Sequence, residues 1–216
     1  MNTIDKTPEE TFLAFAFSPC SVLDNAIRLA KTNTREIAGD QTYLSHPPHI
    51  TLFVSAFQAL EQIVERCKEL VSIWTPPKLE ILGWNYFPGD VLTGNQTLVC
   101  EIANKCQISL REYQRELIGK ISSERSVTAS SNRYRPHFTT LSKPRQIAVE
   151  SFGFPFVGGD WIPHLTVASI DPIKWDDVWD VLQSEQPRGS FVCPKLTIFQ
   201  LQNDNPRVYR EFRIVG

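Results

Sequence analysis

A short motif that occurs three times, His-x-Thr preceded by proline, constrains the fold of this chain more than any other feature. The copies are His49-Ile50-Thr51, His137-Phe138-Thr139 and His164-Leu165-Thr166, and they use three of the four histidines in the 216 residues. In an extended strand, residues two positions apart project from the same face. Each copy is therefore predicted to present an imidazole beside a hydroxyl, while the residue between them enters the core. Proline fits at the first residue of a strand, where its nitrogen has no ladder hydrogen bond to donate.

The pairing of imidazole and hydroxyl indicates phosphate chemistry. Threonine hydroxyls can hydrogen-bond phosphate oxygens, and imidazoles titrate near neutral pH, so one histidine can accept a proton while another donates one. Zinc is the alternative that three histidines raise. However, the sequence contains no H-x-H, H-E-x-x-H or Cys/His cluster, and threonine is a poor zinc ligand. The residue types therefore favour a site without a metal or another cofactor.

Two of the motifs carry a resemblance to a known family. His49-Ile50-Thr51-Leu52 and His164-Leu165-Thr166-Val167 resemble the paired signature of the two-histidine (2H) phosphoesterases, which include 2'-5' RNA ligase-like proteins and cyclic nucleotide phosphodiesterases. The resemblance implies a pseudo-twofold fold with one motif per lobe, and His49, Thr51, His164 and Thr166 as catalytic residues. It also implies an enzyme that hydrolyses, or reversibly forms, a 2',3'-cyclic phosphate or a 2'-5' phosphodiester of RNA or a nucleotide. A non-catalytic module that binds a nucleotide or an RNA end on the same fold is the alternative.

The partner of His49 is either His137 or His164, and the surrounding sequence favours His164. A helical pattern and then a strand pattern follow Thr166, as they follow Thr51, whereas only a short apolar stretch follows Thr139. The run Phe154–Thr166 also resembles the approach to the second motif in longer family members. In this interpretation residues 122–160 are an insertion that carries His137.

The apolar pattern predicts a repeated order of elements. The first half is predicted to contain strand 11–18, helix 21–31, motif strand 49–55, helix 57–73 and strand 79–87. The second half is predicted to contain strand 96–103, helix 105–120, motif strand 164–170, helix 174–184 and strands 191–201 and 207–215, with an exposed loop at 122–135. The predicted fold class is α+β, with two pseudo-symmetric βαβ-type lobes of mixed or antiparallel sheets flanking a central cleft. We expect one domain over 1–216, with lobes of about 1–90 and 91–216.

Composition limits the partners. Lys and Arg number 22 against 24 Asp and Glu, so the chain lacks the excess of basic residues that is typical of proteins binding a long duplex. We therefore expect a nucleotide or an RNA end as substrate. Five cysteines without C-x-x-C spacing indicate reduced thiols. The polar first residues and the absence of a long apolar run predict a cytoplasmic protein without a membrane segment. The oligomeric state is not predicted.

Several residues near the motifs are candidates for substrate contact. Phe156 and Tyr209 are candidates for stacking on a base, Arg135 is a candidate phosphate anchor, and His137 is expected to contact substrate if the insertion folds over the cleft. Trp161 is a further candidate for stacking, and Lys143, Arg145 and Arg207 are further candidate phosphate anchors. His46, in a proline-rich loop, is interpreted as structural or solvated. Matching positions in the motifs favour His49 as the acid and His164 as the base, although the sequence alone leaves the two roles open.

Overall fold

The structure is a computed structural model that describes residues 10–215. Its strands are β1 (Thr11–Ser18), β2 (Ile50–Phe57), β3 (Lys78–Phe87), β4 (Gln96–Ile102), β5 (His164–Ile170), β6 (Gly189–Val192), β7 (Lys195–Gln202) and β8 (Asn205–Arg213). Its α-helices are α1 (Ser21–Ala38), α2 (Leu60–Ile73), α3 (Asn104–Ile121), α4 (Val127–Arg133), α5 (Lys143–Phe152) and α6 (Trp175–Leu182). None of the helices in the described part of the chain is long and apolar enough to cross a membrane.

The strands form two four-stranded sheets. The first has the order β2-β1-β7-β8 and the second the order β5-β4-β3-β6, and every pairing is antiparallel. In each sheet a strand is followed by a helix and then by a motif strand, as β1-α1-β2 and as β4-α3-β5, although α4 and α5 lie between α3 and β5. The α+β class and its antiparallel sheets are therefore confirmed.

The sheets do not divide the chain at residue 90. The β3–β4 hairpin keeps these two strands together, so the first half of the chain contributes β3 to the second sheet. Conversely, β7 crosses back to pair with β1. The reason is that β1 lies buried along most of its length. Its backbone N–H and C=O groups are shielded from water there, so both of its edges need a strand to hydrogen-bond with.

Both motif strands contain a β-bulge directly after the motif threonine. Along β2 the pairing with β1 passes from Phe53 to Thr51 and leaves out Leu52. Along β5 the pairing with β4 passes from Ala168 to Thr166 and leaves out Val167. A bulge bends its strand and redirects the neighbouring side chains, and such bulges are common next to active sites.

Residues 122–160, predicted to be an insertion and called the insertion below, are folded, so the prediction of an exposed loop at 122–135 was wrong. The insertion contains α4, a 3₁₀ segment at Arg135–Thr140, and α5. Buried Ser130 anchors α4 to β2, because its hydroxyl pairs with that of Ser55 at 2.7 Å and accepts the Ala56 N–H at 3.0 Å. The third motif lies in the 3₁₀ segment and not in a strand. With about three residues per turn, residues two apart in that segment do not share a face.

Candidate active site

The two motif strands meet at one cleft of about 680 Å³, to which both sheets contribute. His49 and Thr51 line it from the first sheet, and His164 and Thr166 line it from the second. All four side chains are half-buried, so each is supported by the fold and still reaches the cleft. The structure therefore brings together the four residues that the sequence nominated as catalytic.

The two imidazoles are held in the same way. His49 Nδ1 lies 2.7 Å from the carbonyl oxygen of Pro47, and His164 Nδ1 lies 2.7 Å from that of Ile162. Because a carbonyl oxygen only accepts, Nδ1 must carry the proton in each ring, which leaves Nε2 as the atom that exchanges protons. An aromatic ring also supports each imidazole, since Phe199 lies 5.2 Å from His49 and Phe87 lies 4.9 Å from His164 between ring centroids.

The charges around the two imidazoles differ. Burial lowers the pKa of His49 to about 4, and a positive charge on His46, Lys31 or His164 acts in the same direction. Burial also lowers the pKa of His164. The hydrogen bond from Nδ1 to a backbone carbonyl opposes the shift in both rings, and near His164 the carboxylate of Asp90 opposes it as well.

The remaining sequence candidates separate into two groups. His137 and Phe156 line the cleft, and so do Arg145 and the buried Trp161. Arg135 and Tyr209 are not among the lining residues, and neither are Lys143 and Arg207. Arg135 is exposed and donates to Asn132, while Tyr209 on β8 packs under the guanidinium of Arg210.

Ion pairs join the cleft's two lining arginines to carboxylates. Arg133 of α4 pairs with Asp204 in the turn between β7 and β8, which ties the insertion to the first sheet. Arg145 of α5 pairs with Asp160, and its guanidinium also lies 5.1 Å from the ring centroid of Phe156. The insertion thus forms one wall of the cleft. Among residues 10–215, no group of three or more His, Cys, Asp or Glu side chains is arranged to hold a metal ion.

His46 and Tyr43 were not predicted to contact substrate, and they lie on a different wall of the cleft, in the connection between α1 and β2. Both line the cleft, and their ring centroids lie 5.2 Å apart. Burial lowers the pKa of His46 to about 4, and the charge of Lys31 contributes to the shift. The available signal was position, because both residues belong to the connection that leads directly into His49.

Comparison with known families gives one match. The family model described as the 2'-5' RNA ligase superfamily matches residues 23–205, which include both motif strands and the insertion. No curated protein matches the chain in a sequence comparison.

Solved structures share the fold at low sequence identity. TT0787 of Thermus thermophilus is 15% identical, with a TM-score of 0.59 over 95% of this chain and 98% of that chain. Escherichia coli LigT complexed with 3'-AMP is 12% identical, with a TM-score of 0.50 over 97% of this chain and 100% of that chain. LigT complexed with ATP is also 12% identical, with a TM-score of 0.50 over 96% and 100%. At these identities the likeness concerns the fold alone.

Proposed function

The protein belongs to the 2'-5' RNA ligase superfamily, and from that premise we propose that it is a metal-independent phosphodiesterase. Its proposed substrate is a 2',3'-cyclic phosphate or a 2'-5' phosphodiester of RNA or a nucleotide. The observation that carries the proposal is the convergence of two His–Thr pairs, one from each sheet, on a single cleft. Two titratable groups and two hydroxyl donors are what general acid–base cleavage of a phosphodiester requires.

The reaction follows from these groups. One neutral histidine takes a proton at Nε2 from water or a ribose hydroxyl, whose oxygen attacks phosphorus. The other histidine, protonated, gives its Nε2 proton to the ribose oxygen that leaves, so the net charge of the pair is conserved. Thr51 and Thr166 donate hydrogen bonds to the non-bridging oxygens, where negative charge increases in the transition state.

The surrounding charges favour His49 as the base and His164 as the acid. Burial and the charge of Lys31 keep His49 neutral and ready to accept a proton, whereas the carboxylate of Asp90 favours a proton on His164. This assignment is the reverse of the one that matching motif positions favours. Electrostatic surroundings are the stronger argument, because they act on the proton directly.

The rest of the cleft suits a nucleotide. The ring of Phe156 is the proposed platform for a base, and His137 is the proposed contact to the substrate from the insertion. Complexes of E. coli LigT with 3'-AMP and ATP support a nucleotide ligand on this fold.

Turnover of 2',3'-cyclic nucleotides in the presence of EDTA tests the proposal. We expect the unsubstituted protein to remain active, and His49→Ala and His164→Ala each to lose roughly 10²–10⁴-fold in kcat. His137→Ala is the matched control, because it removes a cleft histidine outside the two pairs and should keep a substantial part of the rate.

Three results would contradict the proposal in different ways. Activity abolished by EDTA would indicate a metal-dependent hydrolase, and tight binding without turnover would indicate a binding module. Near-full activity of His164→Ala would overturn the pairing of His49 with His164.

A further inference from the structure

Two buried polar side chains outside the His–Thr pairs occupy equivalent places in the two repeats, which are the units β1-α1-β2 and β4-α3-β5. Ser21 begins α1 and Asn104 begins α3, so Lys31 and Gln114 lie at the same position along their helices. Lys31 is 5% exposed and Gln114 is 1% exposed. The sequence pattern gave no reason to single out either residue.

Each of these side chains donates to the bulge of the opposite motif strand. Lys31 Nζ, on the helix that follows β1 of the first sheet, lies 2.6 Å from the carbonyl oxygen of Val167 on β5 of the second sheet. Gln114 Nε2, on the helix that follows β4 of the second sheet, lies 2.8 Å from the carbonyl oxygen of Leu52 on β2 of the first. Leu52 and Val167 are the bulge residues that directly follow the two motif threonines.

Each side chain also holds the connection between its own helix and the next motif strand. Lys31 Nζ donates to the carbonyl of Tyr43 at 2.7 Å, and Gln114 Nε2 donates to the carbonyl of Phe156 at 2.9 Å. Gln114 Oε1 in addition accepts the N–H of Gly158 at 2.8 Å. Tyr43 and Phe156 both line the cleft. The same pair of contacts is thus made twice, by a charged residue in one repeat and a neutral one in the other.

Making these contacts with Lys31 costs free energy, because a cation must be buried. Burial lowers the pKa of its ammonium to about 7, and the neighbouring Arg28 and Arg35 contribute to the shift. Its hydrogen-bond acceptors in the described structure are carbonyl oxygens, so no carboxylate there neutralises its charge. Packing an apolar side chain at such a position normally costs less free energy than burying a cation. A costly buried cation next to a cleft is more typical of a functional site than of a core.

We propose that Lys31 and Gln114 are a crossed pair of positioning residues, each fixing the bulge that directs the motif threonine of the opposite sheet. Each half of the molecule thereby holds the His–Thr pair of the other half in place. The inference rests on the proposed function only in that these pairs are taken to be catalytic. The hydrogen-bond pattern itself is independent of the reaction.

Removing the hydrogen bonds that Lys31 and Gln114 donate should lower kcat more than it weakens substrate binding. Lys31→Met and Gln114→Leu keep the side-chain volume but remove the donors. For each we expect kcat on a 2',3'-cyclic nucleotide to fall by about 10–100-fold with little change in KM, because small displacements of reacting groups have effects of this size. Glu36→Met on α1 and Arg115→Met on α3 are the controls, since they alter exposed positions of the same helices and should leave kcat unchanged.

Hydrogen–deuterium exchange of the free protein gives a readout that needs no activity. Gln114→Leu should accelerate amide exchange in residues 49–54, and Lys31→Met should do so in residues 164–169, each by about tenfold or more. Uniform acceleration over the whole chain would indicate a merely structural role and would overturn the inference. If each variant accelerates exchange in the opposite motif strand but the protein has no phosphodiesterase activity, the positioning hydrogen bonds would be supported and the proposed function contradicted.

Lys31→Gln separates the hydrogen bonds from the charge. Because Gln114 reaches the equivalent carbonyls in the other repeat, a glutamine at position 31 should restore most of the kcat that Lys31→Met loses. Equal losses in both variants would overturn the assignment of Lys31 as a positioning residue. If Gln114→Leu does not fold, Gln114→Met, which is unbranched like glutamine and has no donor, should reproduce the loss of kcat. Unchanged kcat in that variant would count against the inference.

Discussion

The two imidazoles of the cleft make the same hydrogen bond but lie among different charges. Each donates from Nδ1 to the carbonyl two residues earlier, so geometry alone gives them equal roles. The ammonium of Lys31 near His49 and the carboxylate of Asp90 near His164 remove that equality. A difference in protonation between two otherwise equivalent groups is what assigns acid and base in many active sites.

A substrate with an activated leaving group tests this assignment. A 4-nitrophenyl nucleoside phosphodiester releases an anion that needs no proton, so the acid becomes unnecessary while the base is still required. We expect the kcat defect of His164→Ala to shrink by about 10–100-fold on this substrate relative to a 2',3'-cyclic nucleotide, and that of His49→Ala to persist. Rescue of His49→Ala instead would favour the assignment that motif position suggested.

At the scale of elements, the insertion depends on one close contact between α4 and the end of α5. Gly153 ends α5 in a left-handed conformation with φ of 71°, and a Cβ at this position would overlap the side chain of Ser130. Ser130 is also the residue that anchors α4 to β2. The wall that carries His137 is therefore held to the motif strand through a position that requires glycine.

Gly153→Ala should loosen this wall. We expect the backbone conformation alone to lower the free energy of unfolding by about 1–3 kcal/mol, with the overlap adding to the loss. Gly119→Ala is the matched control, because Gly119 lies inside α3 with nothing near its missing Cβ. That substitution should raise the free energy of unfolding by about 0.5–1 kcal/mol. Urea denaturation measures both, and equal values for the two variants would contradict the contact.

Local pattern predicted the elements where sequence neighbours decide the conformation. After Thr51 and Thr166 the chain continues as an apolar run that enters a sheet, so the motif became a strand as expected. After Thr139 no such run follows, and the same motif forms a 3₁₀ segment in the insertion. The return of β7 to β1, the folding of the insertion and the place of His46 in the cleft depend on contacts between distant segments, which periodicity does not encode.

At the scale of the whole molecule, folding buries several groups that bind protons readily in an unfolded chain. The pKa of His46 and of His49 falls to about 4, and that of Lys31 falls to about 7. The ordinary values are about 6.5 for histidine and about 10.4 for lysine. Between about pH 4 and 6.5 for the histidines, and between about pH 7 and 10.4 for Lys31, the unfolded chain therefore binds protons that the folded protein does not. Each group therefore contributes a stability that increases with pH across its own window.

Variants that remove one group at a time test this dependence. We expect the free energy of unfolding to rise from pH 5.5 to 8, with Lys31 contributing on the order of 1 kcal/mol between pH 7 and 8. Lys31→Met should flatten that upper part alone, and His46→Gln should reduce the rise below pH 6.5. The range ends at pH 8 because burial raises the pKa of the Cys67, Cys100 and Cys193 thiols, which reverses the slope in more alkaline solution. Urea titrations at half-unit intervals give the slopes, and an unchanged slope in Lys31→Met between pH 7 and 8 would mean that Lys31 is fully charged in the folded protein.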